Sequence, residues 1–208
     1  MFEKIKKDFG LTTWILIPFA IVMNGALGWI VAKLDLPAYL DTVGTVFIAV
    51  VAGPWVGALA GVLNNLILGI FSPNFIPYWS VALFIGLVAG FCANAGMFKI
   101  WWKVVFAGVF IAIAAALLSA LVALKLYGEI TSSALYFLLQ EPVDKITTAM
   151  IVFVMIQVLP KRILSLLPHP ENIVNGESTN RTQIYIAIGI VILLALFITF
   201  ALGKFLGV

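Results

Sequence analysis

Charged residues, cysteine and histidine are all scarce in this sequence. Only 10% of its 208 residues are charged and 63% are hydrophobic, whereas soluble domains carry about 25% charged residues. The single cysteine, Cys92, excludes an internal disulfide and a multi-cysteine metal site. His169 has no second histidine with which to form a pair of metal ligands. The sequence therefore predicts an integral membrane protein without a metal site.

The motifs of common catalytic chemistry are missing as well. The chain has no G-x-x-x-x-G-K-[ST] phosphate loop, no H-E-x-x-H motif and no G-x-S-x-G nucleophile elbow. One histidine and scattered serines do not make a catalytic triad. We therefore expect a binding protein in contact with membrane lipid, with no catalytic residue, cofactor or nucleic-acid partner.

Long apolar segments are abundant. Five of them have about the length of 17–25 residues that a membrane-spanning helix needs, and they cover approximately residues 12–32, 78–97, 104–126, 143–159 and 184–202. The stretch "DTVGTVFIAVVAGPWVGALAGVLNNLILG", residues 41–69, is too long for one span and short for two. Pro54 lies inside it and would kink a continuous helix.

The distribution of charge favours two passes for this stretch. If the chain turns at "GPW", seven of the basic loop residues before the last span share one side, and of the others before that span only Lys33 and Lys125 lie opposite; the seven are Lys4, Lys6, Lys7, Lys99, Lys103, Lys161 and Arg162. Cytoplasmic loops are enriched in Lys and Arg, so the N-terminus is expected in the cytoplasm. The prediction is an all-α membrane protein: a six-helix domain (1–167), a polar cytoplasmic linker (168–183) and one additional C-terminal transmembrane helix (184–208).

Small residues recur at every fourth position on the third and fourth predicted helices. The two series are Gly57, Gly61, Asn65 and Gly69, then Ala82, Gly86, Gly90 and Asn94. This spacing puts each series on one helix face, and small residues let helices approach closely in lipid. Helix packing is therefore predicted for Gly57, Gly61, Gly86, Gly90 and Asn94. For Asn65, which lies nearer the middle of the membrane, helix bonding and ligand binding stay equally open.

The richest polar stretch at membrane depth is "QEPVDKITTAM", residues 140–150. Pro142 suits the first turn of a helix, and Glu141 and Lys145 have the i,i+4 spacing of an ion pair. The stretch is either a solvated helix start or a contact for a polar ligand. Two similar alternatives are open elsewhere: Trp79 belongs to an interfacial aromatic belt or touches ligand, and Asp41 caps the second helix, touches ligand, or does both.

Two segments resemble the S components of energy-coupling factor (ECF) transporters. "LPAYLDTVGTVFIAVVAGPWVGALAGVLNNLILG" resembles their second and third helices, and "EPVDKITTAMIVFVMIQVLPKRILSLLP" resembles the sixth helix with its basic end. The resemblance covers roughly residues 11–167. It implies a six-helix, S-component-like bundle in a prokaryotic plasma membrane that binds a vitamin or related small-molecule substrate on the extracellular side. It also implies separate partners, a transmembrane coupling (T) subunit and two ATPase subunits.

Carried onto this chain, the resemblance implies a ligand-binding set made of Asp41, Asn65, Asn74, Trp79, Glu141 and Lys145. The nearest matches to the family's small-residue docking pair are Ala20 with Asn24 and Gly28 with Ala32. The alternative is a membrane sensor or receptor module that binds a small ligand without transport. A sensor normally continues into a cytoplasmic output domain, whereas "GKFLGV" is expected to end outside, which favours transport.

Overall fold

A computed structural model of the chain describes residues 5, 8–34, 38–128, 132–173, 182, 184–190 and 192–193, without the side chains of 132–139. Within these residues the fold is helical and contains no strand. The helices are α1 (Leu11–Lys33), α2 (Val43–Ala52), α3 (Pro54–Phe71), α4 (Trp79–Asn94), α5 (Trp101–Tyr127), α6 (Ser132–Val158) and the short α7 (Lys161–Leu164). Single 3₁₀ segments cover Pro73–Tyr78, Met97–Lys99 and Pro170–Asn172.

Four helical stretches are long and apolar enough to cross a membrane. They are Leu11–Lys33, Pro54–Phe71, Pro73–Asn94 and Trp101–Tyr127, so the protein is a helical membrane protein. By contrast α2 has 10 residues, about 15 Å at 1.5 Å per residue. Residues 184–190 are helical, but most of the predicted additional span lies outside the described residues. The total of seven spans and the sidedness stay predictions.

The stretch of residues 41–69 forms two helices that meet at Gly53. Gly53 has φ of 97°, a conformation that favours glycine, and Pro54 takes the first position of α3, where its missing N–H is tolerated. A Cβ on Gly57 would contact Ala49, and one on Gly61 would contact Thr45. Because residues further from Gly53 on α3 face residues further from it on α2, the chain reverses direction at the predicted turn.

All ten residues of α2 are buried. This helix packs against α1, α3, α4 and α6. A helix that is apolar on every side belongs in the centre of a bundle. We call its two ends the Asp41 end and the His169 end, after the polar residues that lie there.

The α3–α4 contact brings two backbones together. A Cβ on Gly86 would overlap the backbone of Gly57, one on Gly61 would overlap the carbonyl of Ala82, and one on Gly90 would overlap the backbone of Pro54. The structure thus places Gly57, Gly61, Gly86 and Gly90 where backbone approach leaves no room for a side chain.

Asn94 lies outside this contact. It is exposed, and its Oδ1 accepts a hydrogen bond from Asn172 Nδ2 at 3.0 Å. The side chain therefore joins the end of α4 to the segment that follows α7, instead of packing α4 on α3 as its four-residue spacing had predicted.

The beginning of α6 differs from the prediction. The helix starts at Ser132 rather than near residue 143, so Pro142 lies in its interior and not in its first turn. The residues before Pro142 include alanine, leucine and glutamine, which favour helix. Packing of α6 along α5 outweighs the one backbone hydrogen bond that a proline removes.

The first turn of α2 is held by a residue of α1. Thr42 takes the cap position, and its side chain makes no hydrogen bond to the N–H groups of the helix, so the predicted capping by Asp41 is wrong. Asn24 Oδ1 instead accepts from Gly44 N at 2.6 Å, and Asn24 Nδ2 donates to Thr45 Oγ1 at 2.9 Å. A side chain from another helix thus satisfies an N–H that α2 cannot satisfy itself.

Candidate ligand site at the Asp41 end

Lys145 lies at the centre of a buried polar cluster that joins α6 to the start of α2. Its Nζ is 2.6 Å from Asp144 Oδ2 and 3.3 Å from Glu141 Oε2, and it donates to Thr42 Oγ1 at 3.2 Å. The Lys145 and Glu141 side chains are 3% and 7% exposed. The predicted i,i+4 ion pair therefore forms. It lies in the protein interior, so the solvated helix start considered for residues 140–150 is not what the structure has. Together with Asp41, these residues are called the Lys145 cluster below.

Asp144 anchors the connection between α1 and α2. Its Oδ1 accepts hydrogen bonds from the backbone N–H groups of Tyr39 at 2.8 Å and Leu40 at 2.9 Å. Leu40 has φ of 47°, in the left-handed region that residues with a Cβ rarely adopt. Since Oδ2 binds Lys145, both carboxylate oxygens of Asp144 are occupied. Its role was not foreseen, because the partner N–H groups lie 104 and 105 residues away.

Asp41 is the member of the Lys145 cluster that lies close to α1. A Cβ on Gly28 would lie 3.2 Å from the Cβ of Asp41. Burial raises the pKa of Asp41 to about 6; Lys145 opposes this shift, whereas the carboxylates of Asp144 and Glu141 add to it. Asp41 therefore shares one electrostatic environment with the three α6 residues.

Several buried oxygens of α6 have no hydrogen-bond partner. Glu141 Oε2 is at ion-pair distance from Lys145 but lacks hydrogen-bond geometry, although Ser119 of α5 hydrogen-bonds the same carboxylate. The other such atoms on this helix are Gln140 Oε1, Thr147 Oγ1 and Thr148 Oγ1. Thr148 is fully buried, one helical turn beyond Lys145. Because buried polar groups are nearly always hydrogen-bonded, these oxygens retain unused capacity to accept hydrogen bonds.

The structure brings together three of the six predicted ligand residues: Asp41, Glu141 and Lys145. Asn65 is engaged elsewhere, since its Nδ2 donates to Phe75 O at 3.3 Å and so fastens the Pro73–Tyr78 segment to α3. Asn74 is exposed, as is 46% of Trp79. A ligand-binding role for all six stays a prediction.

A second polar cluster, at the His169 end, was missed from the sequence. His169 Nε2 is 2.8 Å from Asp8 Oδ1, and Nδ1 is 2.9 Å from Glu171 Oε1. The His169 backbone N–H donates to Val51 O at 3.0 Å, near the end of α2. The first residues of the predicted linker, 168–173, thus close this end of the bundle. The one sequence feature that could have drawn attention to this cluster is a single histidine between two prolines. That feature does not indicate a partner 161 residues away.

The Ala20–Asn24 pair of α1 is occupied inside the chain. Both residues are fully buried, and a Cβ on Gly44 would overlap the backbone of Ala20. This face of α1 therefore packs on α2 and does not present a docking surface.

The Lys145 cluster offers charge and hydrogen-bond acceptors rather than a metal site. Among the described residues, no three His, Cys, Asp or Glu side chains are arranged to hold a metal ion. What the cluster can do chemically is bind a polar group in a buried, low-dielectric place, where hydrogen bonds are strong. Comparison of the chain with known protein families, curated proteins and solved structures gives no match.

Proposed function

We propose that this chain is the substrate-binding subunit of an ATP-driven importer of a vitamin or related micronutrient, and that it captures its ligand at the Lys145 cluster. The observation that carries the proposal is the burial of Glu141, Asp144 and Lys145 beside Asp41 at one end of α2. Neighbouring oxygens of α6 have no hydrogen-bond partner. Ionisable residues inside a membrane protein are costly and mark functional sites by default.

The importer would divide its work among separate subunits. The resemblance of residues 11–167 to ECF S components supports a coupling (T) subunit and two ATPase subunits as partners, because the chain has no phosphate loop of its own. The Ala20–Asn24 face is buried, so the coupling subunit would dock elsewhere. The other side of α1 is exposed and apolar at Trp14, Val22 and Trp29, which suits contact with lipid or with a membrane partner.

Reconstitution tests the division of work. Purified chain in liposomes should hydrolyse no ATP and accumulate no substrate alone, whereas adding the coupling subunit and both ATPases from the same cell should permit ATP-dependent uptake. ATP-dependent uptake by the chain alone would contradict the proposal. Substrate binding that never leads to uptake in the full assembly would instead favour the sensor or receptor function.

Capture from outside also requires that the Asp41 end faces the extracellular side. Trp55 follows the turn at the His169 end of α2, and Asn74 lies beyond the far end of α3; both are exposed. In a Cys92→Ser background, Trp55→Cys should react with a membrane-impermeant maleimide only from the cytoplasm, and Asn74→Cys only from outside. Labelling of both from the same side would contradict the two-pass topology, and the reverse pattern would contradict extracellular capture.

A further inference from the structure

The Lys145 cluster contains more negative than positive charge. Three of its four ionisable residues are carboxylates, and Lys145 is the fourth. Asp144 is fully engaged, because Oδ2 pairs with Lys145 and Oδ1 accepts from two backbone N–H groups. The Lys145–Asp144 pair at 2.6 Å is thus nearly neutral. Asp41 and Glu141 remain as the excess.

This excess is costly as it stands. A buried carboxylate needs a counter-charge and hydrogen-bond donors to offset the loss of water. Lys145 lies 3.3 Å from Glu141 Oε2 and is shared with Asp144. Ser119 hydrogen-bonds the Glu141 carboxylate, but its Oε2 has no partner in full hydrogen-bond geometry. Glu141 thus shares its counter-charge with a second carboxylate and remains incompletely compensated.

The buried oxygens without a partner need hydrogen-bond donors rather than acceptors. Glu141 Oε2 and Gln140 Oε1 can only accept, and the Thr148 hydroxyl can do so as well. The residues carrying these oxygens are at least nine-tenths buried. A molecule with N–H groups and a positive charge would meet both needs at once, because hydrogen bonds between a cationic N–H and a carboxylate are about twice as strong as neutral ones.

We propose that the substrate carries a positively charged nitrogen, as an ammonium or protonated ring nitrogen, which binds between Asp41 and Glu141. This inference rests on the proposed function and names the chemical class of its substrate. Asp144 keeps Lys145 neutralised and holds the α1–α2 connection in place, so that the lysine does not repel the incoming cation. An inorganic cation would satisfy the same charge, and the experiment distinguishes the two sources.

Thermal unfolding in lipid nanodiscs near neutral pH tests whether the cluster binds a positively charged nitrogen. Methylammonium chloride serves as the probe, compared with sodium chloride at equal ionic strength. The probe should raise the melting temperature of the wild-type protein, as a ligand of the folded state does, and should not raise that of Glu141→Gln. Glu171→Gln is the matched control, because it removes the same charge from an exposed side chain and should respond like the wild type.

Two outcomes of this titration overturn the proposal. An equal rise with sodium assigns the site to an inorganic cation, and the absence of any rise with methylammonium shows that the excess charge binds no cation. A second measurement needs no ligand. Because Glu141→Gln removes an incompletely compensated charge and keeps the shape, it should leave the melting temperature of the ligand-free protein unchanged or higher. A fall as large as that of Lys145→Met would show a satisfied ion pair and overturn the proposal as well.

Failure of this inference can be told apart from failure of the proposed function. Small molecules extracted from the purified wild-type protein, and depleted in Glu141→Gln, are identified by mass spectrometry. A bound cationic compound supports the inference. A bound neutral or anionic compound overturns it but leaves the importer intact, whereas lack of uptake in the reconstituted assembly overturns the importer whatever the charge of the bound compound.

Discussion

The two ends of α2 carry polar clusters of opposite character. At the His169 end both ring nitrogens and the backbone N–H of His169 have partners, in Asp8, Glu171 and Val51. At the Asp41 end Lys145 serves several acceptors, while buried oxygens of α6 have no donor. A fully hydrogen-bonded polar network stabilises the fold, whereas a partly bonded one lowers the stability of the ligand-free protein. The difference separates a structural cluster from a candidate binding site.

Among the changes at the two ends of α2, removal of Lys145 should lower the free energy of unfolding most. Lys145→Met leaves Asp144 and Glu141 buried without their cation, and breaking a buried ion pair costs about 3–5 kcal/mol. The free energy of unfolding, measured by denaturant titration in mixed micelles, should fall by this amount. Lys125→Met, in the exposed last turn of α5, is the control and should change little. Equal effects of the two changes would show that Lys145 is not held in a buried network.

Removal of the histidine should have an intermediate effect. His169→Ala leaves the buried Asp8 carboxylate without its partner, and an unsatisfied buried polar group costs about 1–3 kcal/mol. In a double-mutant cycle with Asp8→Asn, the combined loss should be smaller than the sum of the single losses. Strict additivity would mean that the two side chains do not stabilise each other, and that the His169 end is held by other contacts.

The pH dependence of stability should report the charge of Asp41. The folded protein raises the pKa of Asp41 from 3.8 to about 6, so between these values the folded state holds a proton that the unfolded state has lost. Stability of the ligand-free protein should therefore decline as pH rises through this window. Cation binding should strengthen over the same rise, because Asp41 becomes charged. Asp41→Asn should remove the pH dependence of stability and that of cation binding. If both persist in this variant, another group is responsible.

The smallest effect is expected at the exposed edge of the His169 cluster. The Glu171 side chain is 67% exposed, and exposed ion pairs contribute roughly 0–1 kcal/mol. Glu171→Gln should therefore lower the free energy of unfolding far less than His169→Ala, and less still at high salt because screening already weakens the pair. A loss equal to that of His169→Ala would show that the pair of His169 with Glu171, rather than the pair with Asp8, supplies the stability of this cluster.

Features encoded by spacing along one segment could be predicted from the sequence. The low charge indicated a membrane protein, "GPW" indicated the break at Gly53, and four-residue spacing put Gly57, Gly61, Gly86 and Gly90 on contact faces. The i,i+4 spacing of Glu141 and Lys145 likewise predicted their pairing. In each case helix geometry converts a distance in sequence directly into a position in space.

Tertiary structure alone decided which distant groups meet. Asn24 rather than Asp41 satisfies the first turn of α2, Asp144 binds backbone N–H groups more than 100 residues away, and His169 reaches Asp8 across 161 residues. The interior position of Pro142 also depends on packing of α6 against α5. Such partners carry no local signature, because their proximity follows from how the helices pack and not from the rise of one helix. The sequence by itself determined the kind of protein and the faces of its helices, and packing decided where its buried charges are satisfied.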